Sequence, residues 1–225
     1  MGMEPSSTYP VTSKTKIRRI PARGSYDRGL AHAILDEALV ASVAFVEEGQ
    51  PYCIPMALGR EGERLFLHAA SSSRFAMVLA SGNPICVSVT LLDGLVLARS
   101  AMHHSLNYRS LVVVGSPIEL TDEAEKRAAL ARLIEHVVRG RSRQTREPNA
   151  IELRATRVFA LELREVSVKT RQGGPIDDPE DLELPYWAGV VPLSMRAGVP
   201  EPDATNIPVT PLPPGLCDYD RWRSR

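Results

Sequence analysis

Apolar and polar positions along this chain follow first a helical period and then the period of strands. Behind Asp27, a residue suited to capping a helix, Leu30, Ile34 and Ala38 recur on one helical face. From Leu39 the pattern predicts strands over residues 39–47 and 51–58, joined by the short turn Glu47-Glu48-Gly49-Gln50. A second turn over 59–63 leads to a strand over 64–68. A helix is expected over 72–81. It has Phe75, Val78 and Leu79 on one side, Gly82 as its stop and Pro84 just beyond. Three further strands are expected over 85–91, 95–103 and 108–119, with Asp93-Gly94 as a hairpin turn between the first two.

Asp122 followed by Glu125 has the pattern of a capping box. The helix it opens carries a stripe of Leu130, Leu133, Ile134, Val137 and Val138 and ends before Gly140. Residues 139–148 read as a basic surface loop, and one long strand is expected over 156–170. Roughly seven strands and three helices, with the strands mostly sequential, predict a mainly β (α+β) fold, an antiparallel barrel with capping helices.

Both ends differ from this middle. Residues 1–24 read as a flexible N-terminal arm and 25–171 as the barrel domain. Residues 172–225, rich in proline, read as an extension packing over the barrel or over a partner, with an apolar island from Pro185 to Pro192.

Charge narrows the function. The 27 basic residues balance the 27 acidic ones, which argues against a nucleic-acid binder while leaving room for a small anion. The chain has no apolar run long enough for a membrane span and no signal-peptide pattern at its N-terminus, and Cys53, Cys86 and Cys217 are widely separated. A cytoplasmic protein with inert thiols is expected.

Three segments could carry chemistry. From His68 to Arg74 the chain runs from strand through small residues to a helix start, which would offer free N–H groups, hydroxyls and a guanidinium to an anion. Ordinary capping serines and a solvated arginine fit the same residues. The second segment, Met102 to Ser110, contains His103-His104 and Arg109-Ser110. Adjacent histidines on a strand face opposite ways, so no metal is expected, and a phosphate role for Arg109 and Ser110 competes with a plain surface arginine. The third is Trp187, an anchor for the tail or a lid over an aromatic ligand. No nucleophile–base pattern and no Gly-x-Gly-x-x-Gly stand in the chain, so no catalytic residue is named.

In order, Pro51-Tyr52-Cys53-Ile54-Pro55, Leu65-Phe66-Leu67-His68-Ala69 with Ser73-Arg74, Asn107-Tyr108-Arg109-Ser110 and Trp187-Ala188-Gly189-Val190 give a resemblance. The chain resembles the flavin-binding split-barrel proteins related to pyridoxamine 5'-phosphate oxidase, on the branch of the nitroimidazole-resistance proteins. The resemblance implies a split-barrel homodimer with FMN at the interface. It places Ile54, Pro55 and Met56 along the flavin edge, and His68 and Ala69 in the pocket wall. Ser73 and Arg74 fall on the phosphate, Arg109 and Ser110 on the opposite side, and Trp187 near the flavin. It implies a flavin-dependent oxidoreductase reducing a small organic acceptor. The alternatives are a non-catalytic flavin carrier, or a barrel for deazaflavin or haem. Phe75 stands where the oxidase proper has a basic residue, and no Arg-x-His element follows Trp187, so oxidation of pyridoxamine phosphate itself is not expected.

Overall fold

The computed structural model describes residues 6–206, 211–217 and 219. In chain order its elements begin with β1 (Gly24–Ser25), α1 (Arg28–Glu37), β2 (Val40–Glu47), β3 (Gln50–Ala57), β4 (Gly59–Glu61) and β5 (Arg64–Ala70). Next come α2 (Arg74–Ala80), β6 (Ile85–Leu97), β7 (Ser105–Gly115), β8 (Ile118–Glu119) and α3 (Glu123–Val137). The last are α4 (Ala150–Ala155), β9 (Thr156–Glu162), β10 (Glu165–Arg171), β11 (Gly189–Pro192) and α5 (Pro214–Cys217). No helix among the described residues is long and apolar enough to cross a membrane.

The chain divides into two compact units. The first comprises residues 6–38, 88–113 and 165–195, and the second comprises 39–87, 114–164 and the described residues from 196 onward. In the first, strands run in the order β1-β10-β7-β6, and β11 adds to β6. Helix α1 starts where Asp27 accepts from the Leu30 N–H at 2.7 Å. It packs its buried Ala31, Ile34 and Leu35 toward β10, whose Val166 and Val168 are also buried. The expected arm is anchored at Tyr9. Tyr9 is 2% exposed, its N–H donates to the Tyr26 carbonyl, and its hydroxyl lies 3.2 Å from His32 Nε2. The C-terminal segment is tied down too: both Asp177 carboxylate oxygens accept from Arg99 at 2.9 Å, and β11 pairs antiparallel with residues 94–97 of β6.

In the second unit, β2 and β3 form the expected hairpin, and β4-β5-β9-β8 form an open antiparallel sheet. Phe66, Val158 and Ala160 from that sheet, with Leu120, pack against Ala129 and Leu133 of α3. Helix α3 starts as expected, with Asp122 accepting from the Glu125 N–H at 2.9 Å, but its buried stripe is narrower than the pattern predicts. Val137 is 42% exposed, while Ala129 takes a core position.

Three expectations about elements are corrected. Asp93-Gly94 makes no turn, because β6 runs through it without a break. Its glycine is needed for closeness instead: a Cβ there would sit 3.1 Å from the Val191 carbonyl of β11. Gly59 is a strand residue, not part of a turn, and α3 passes so near that a Cβ would lie 3.1 Å from the Leu133 backbone. The strand expected over 156–170 is two strands in different sheets, separated at Leu163-Arg164, where the Leu163 N–H turns to the Glu63 carbonyl. Helix α4 lies next to the segment read as loop, opened by a capping box of Asn149 and Glu152.

Candidate functional site

The residues expected to form one site fall in both units. In the second unit, β5 carries His68 and Ala69 opposite Val158 and Arg157 of β9, then turns into α2. Ala69 is buried, and His68 is half-buried with its Nδ1 enclosed and without a hydrogen-bond partner. Burial pulls the His68 pKa below its ordinary value, so the ring stays neutral near pH 7. Ser73 is the N-cap of α2: its hydroxyl accepts from the Ala76 N–H at 3.1 Å, and its own N–H donates to the Ala70 carbonyl. The Ser71 N–H donates to the Ala155 carbonyl at 2.8 Å. Several of the turn's donors are thus spent on holding the turn.

Arg74 is 54% exposed, with Nε 3.3 Å from a Glu47 carboxylate oxygen and its guanidinium 4.8 Å from the centre of the Tyr52 ring. Phe75 points inward and meets Phe45, which stacks in turn on Tyr52 at 5.4 Å. This aromatic packing is the physical reason for an apolar residue after Ser73-Arg74. Ile54, Pro55 and Met56 lie on β3 opposite Val43, Ser42 and Ala41, and the strand order ends at β3. Prolines at 51 and 55 suit such an edge, since they have no N–H to offer a further strand.

In the first unit Arg109 is enclosed by acid. Its Nη1 and Nη2 donate to both oxygens of Glu37 at 2.6 and 2.9 Å, and its Nε and Nη2 donate to both oxygens of Asp93 at 3.0 and 3.1 Å. Two carboxylates against one guanidinium leave little attraction for a phosphate. The Ser110 hydroxyl donates to the Lys169 carbonyl at 3.1 Å. Trp187 is 66% exposed and lies over Gly189, where an added Cβ would come within 2.9 Å of the indole.

Folding also gathers groups that are distant in sequence. His103 has no acidic neighbour along the chain, yet its ring nitrogen comes 3.7 Å from Asp178, with Asp181 beside them. The cluster is open to solvent. Asn107, a motif residue given no role in the sequence reading, is buried against Arg171.

A family model described as pyridoxamine 5'-phosphate oxidase matches residues 27–170. The chain belongs to this family. No protein with a curated description matches the chain. Among solved structures, the flavocytochrome Anf3 from Azotobacter vinelandii is 36% identical, with a TM-score of 0.87 over 92% of this chain and 96% of that one. The FAD and heme binding protein from Mycobacterium smegmatis is also 36% identical, with a TM-score of 0.83 over 87% and 96% of the two chains. A 5-nitroimidazole antibiotic resistance protein from Bacteroides thetaiotaomicron is 22% identical, with a TM-score of 0.56 over 65% and 85%, and shares the fold. The α+β split-barrel fold of the pyridoxamine 5'-phosphate oxidase family, expected from the ordered motifs, is borne out.

His68 offers a neutral imidazole whose enclosed Nδ1 has no hydrogen-bond partner, so one bonding position of the ring is left unused.

Proposed function

We propose that this protein is a redox flavoprotein that holds flavin adenine dinucleotide together with a haem. The observation that carries this reading is the pair of relatives at 36% identity, each matched over nearly its whole length, one a flavocytochrome and the other a protein binding FAD and heme. The motif resemblance implies FMN, whereas the engagement of Arg109 favours the dinucleotide. A phosphate monoester concentrates close to two negative charges on one phosphorus and calls for several free cations. Arg109 is engaged by Glu37 and Asp93, and Arg74 is shared between Glu47 and Tyr52. The diphosphate of a dinucleotide spreads its charge over two phosphorus atoms and makes a smaller demand at each.

His68 is the residue assigned to the haem. Its neutral imidazole offers a lone pair, and burial prevents protonation from taking that lone pair away. The half-buried Ile54 and Met56 of β3 are the apolar surface assigned to the flavin ring. Flavin and haem supply the electron transfer themselves, and the protein supplies position and polarity. The acceptor is a small organic molecule. A cytoplasmic homodimer completes the proposal, with the three thiols free as a reducing compartment would leave them.

The test is the cofactor content of the purified protein. Acid extraction and mass analysis should return FAD, and the absorption spectrum should carry a Soret band besides the flavin bands. His68→Ala should remove the Soret band and keep the flavin. Recovery of FMN alone with no Soret band in the wild type would sink the reading. Light scattering tests the dimer, and turnover with a nicotinamide donor tests the redox role.

A further inference from the structure

Arg171, at the end of β10, is 6% exposed and has no carboxylate partner. Its Nη1 donates to the Asn107 side-chain oxygen and to the Gly173 carbonyl at 3.0 Å, and its Nη2 donates to the Gly174 carbonyl at 2.8 Å. Its Nε is enclosed and has no acceptor at all. Neutral carbonyls solvate a cation without cancelling its charge, and a buried charge left that way is costly. Asn107 is buried as well, and its amide donates to the same Gly173 carbonyl, so the polar group around the guanidinium is held in place. Gly173 and Gly174, whose carbonyls accept from it, are exposed and carry no side chains.

More positive charge surrounds it. Strand β1 pairs with β10 so that Gly24 faces Lys169, which brings the preceding residue, Arg23, alongside the end of β10 that carries Arg171. Burial, and then the Arg23 charge, pull the Arg171 pKa below its ordinary value, a sign that the two cations sense one another. Lys169, two positions along the same strand face, donates to the Arg19 carbonyl. Among the described residues none of Arg18, Arg19, Arg23, Lys169 and Arg171 lies within ion-pair distance of a carboxylate. Glu165, at the other end of β10, is taken by Lys14 and Thr12. In a chain with no net charge, this is a local excess of unpaired cations around a buried one. Like charges gather stably where an anion completes the cluster.

We infer that Arg171 and Arg23, with Lys169 beside them, form a binding site for a phosphoryl group, whose oxygens accept from both guanidinium groups. Forked guanidinium donors suit phosphate, and the Nη2 of Arg171 carries a second hydrogen beyond the one it gives to the Gly174 carbonyl. The phosphoryl group has two sources, a free phosphate compound or the phosphates of the flavin itself. The site stands on Arg171 and its neighbours and does not depend on the flavin proposal.

The test is calorimetry of the protein as purified, titrated with inorganic phosphate against chloride at matched ionic strength, with flavin content measured on the same samples. The proteins compared are wild type, Arg23→Gln, Arg171→Lys, and Arg139→Gln, an exposed control in the other unit. Saturable phosphate binding that weakens about tenfold in Arg23→Gln, at unchanged flavin content and with the control like wild type, supports a site for a free phosphate compound. No phosphate uptake by wild type, with flavin content falling by more than about half in Arg23→Gln and Arg171→Lys but not in the control, supports the flavin's phosphates as the occupant. No uptake and unchanged flavin content in both variants would overturn the site, as would uptake that chloride reproduces. Absence of flavin from every sample, with phosphate binding still lost in Arg23→Gln, would remove the flavin reading and leave this one standing.

Discussion

Arg109 and Arg171 stand on neighbouring strands, β7 and β10, of the same unit, and they solve the problem of a buried positive charge in opposite ways. Arg109 is over-neutralised: two edges of its guanidinium meet carboxylates, and Asp93 and Glu37 are themselves largely buried. Arg171 is under-neutralised, with three carbonyl oxygens around its terminal nitrogens and an Nε that nothing accepts. The first arrangement is closed, because four of the five N–H donors are taken by carboxylates and any incoming anion meets two negative groups. The second is open in the electrostatic sense. The difference separates an arginine that holds strands together from one poised to receive a ligand, and the residue name alone does not separate them.

The largest effect that would break this comparison is at Arg109. Arg109→Ala leaves Glu37 and Asp93 facing each other without the guanidinium between them, and should cost about 3 kcal/mol of unfolding free energy in urea titrations. A cost below about 1 kcal/mol would mean that the ion pair is not the closed structural unit described. Arg171→Met keeps the length and removes the charge. It should cost less, about 1–2 kcal/mol, because two of the three carbonyls belong to exposed glycines and can turn to water. Equal costs at the two sites would erase the distinction.

His68 sharpens the comparison with a buried group that stays neutral. Its native pKa is lowered, so below about pH 6.5 the unfolded chain takes up a proton that the native chain refuses. The stability this group contributes is full above that pH and is lost as pH falls from there toward the native pKa. Unfolding measured at about pH 7.5 and about pH 5.5 should show the loss, and His68→Gln should flatten it. An unchanged pH slope in the variant would place the titration elsewhere. The smallest effect is expected at Arg74, which is itself more than half exposed in its pairing with Glu47. Arg74→Ala should change stability by less than about 1 kcal/mol. The motif resemblance still assigns Arg74 to the phosphate, so flavin retention through gel filtration is the measurement that decides whether it holds cofactor or only decorates α2.

Much of the fold was legible where its signals are local. Asp27, Ser73 and Asp122 each cap a helix through an acceptor that reaches an N–H three residues on, and Gly82 follows the end of α2. The β2–β3 hairpin was legible from its turn residues. Asp93-Gly94 misled because the same dipeptide serves a tight turn or a close approach of backbones, and only β11, far along the chain, decides which. The long strand over 156–170 misled because its apolar pattern continues across the break, while its two halves belong to different sheets. At the candidate site, His68 and Ser73 were visible as residue types in a suggestive order. The engagement of Arg109 by two carboxylates and the burial of Arg171 without one were not.

By itself the sequence determined the caps, the hairpin, the helix ends and the family, because each rests on residues a few positions apart or on short motifs in a set order. Only the tertiary structure decided which arginines are spent. Arg109 finds Glu37 across 72 positions, and Arg171 finds Asn107 across 64. An ion pair or a buried polar contact has no periodicity and no preferred separation, so nothing along the chain announces it. Its energy depends on burial and on the partner, and both exist only once the strands have come together.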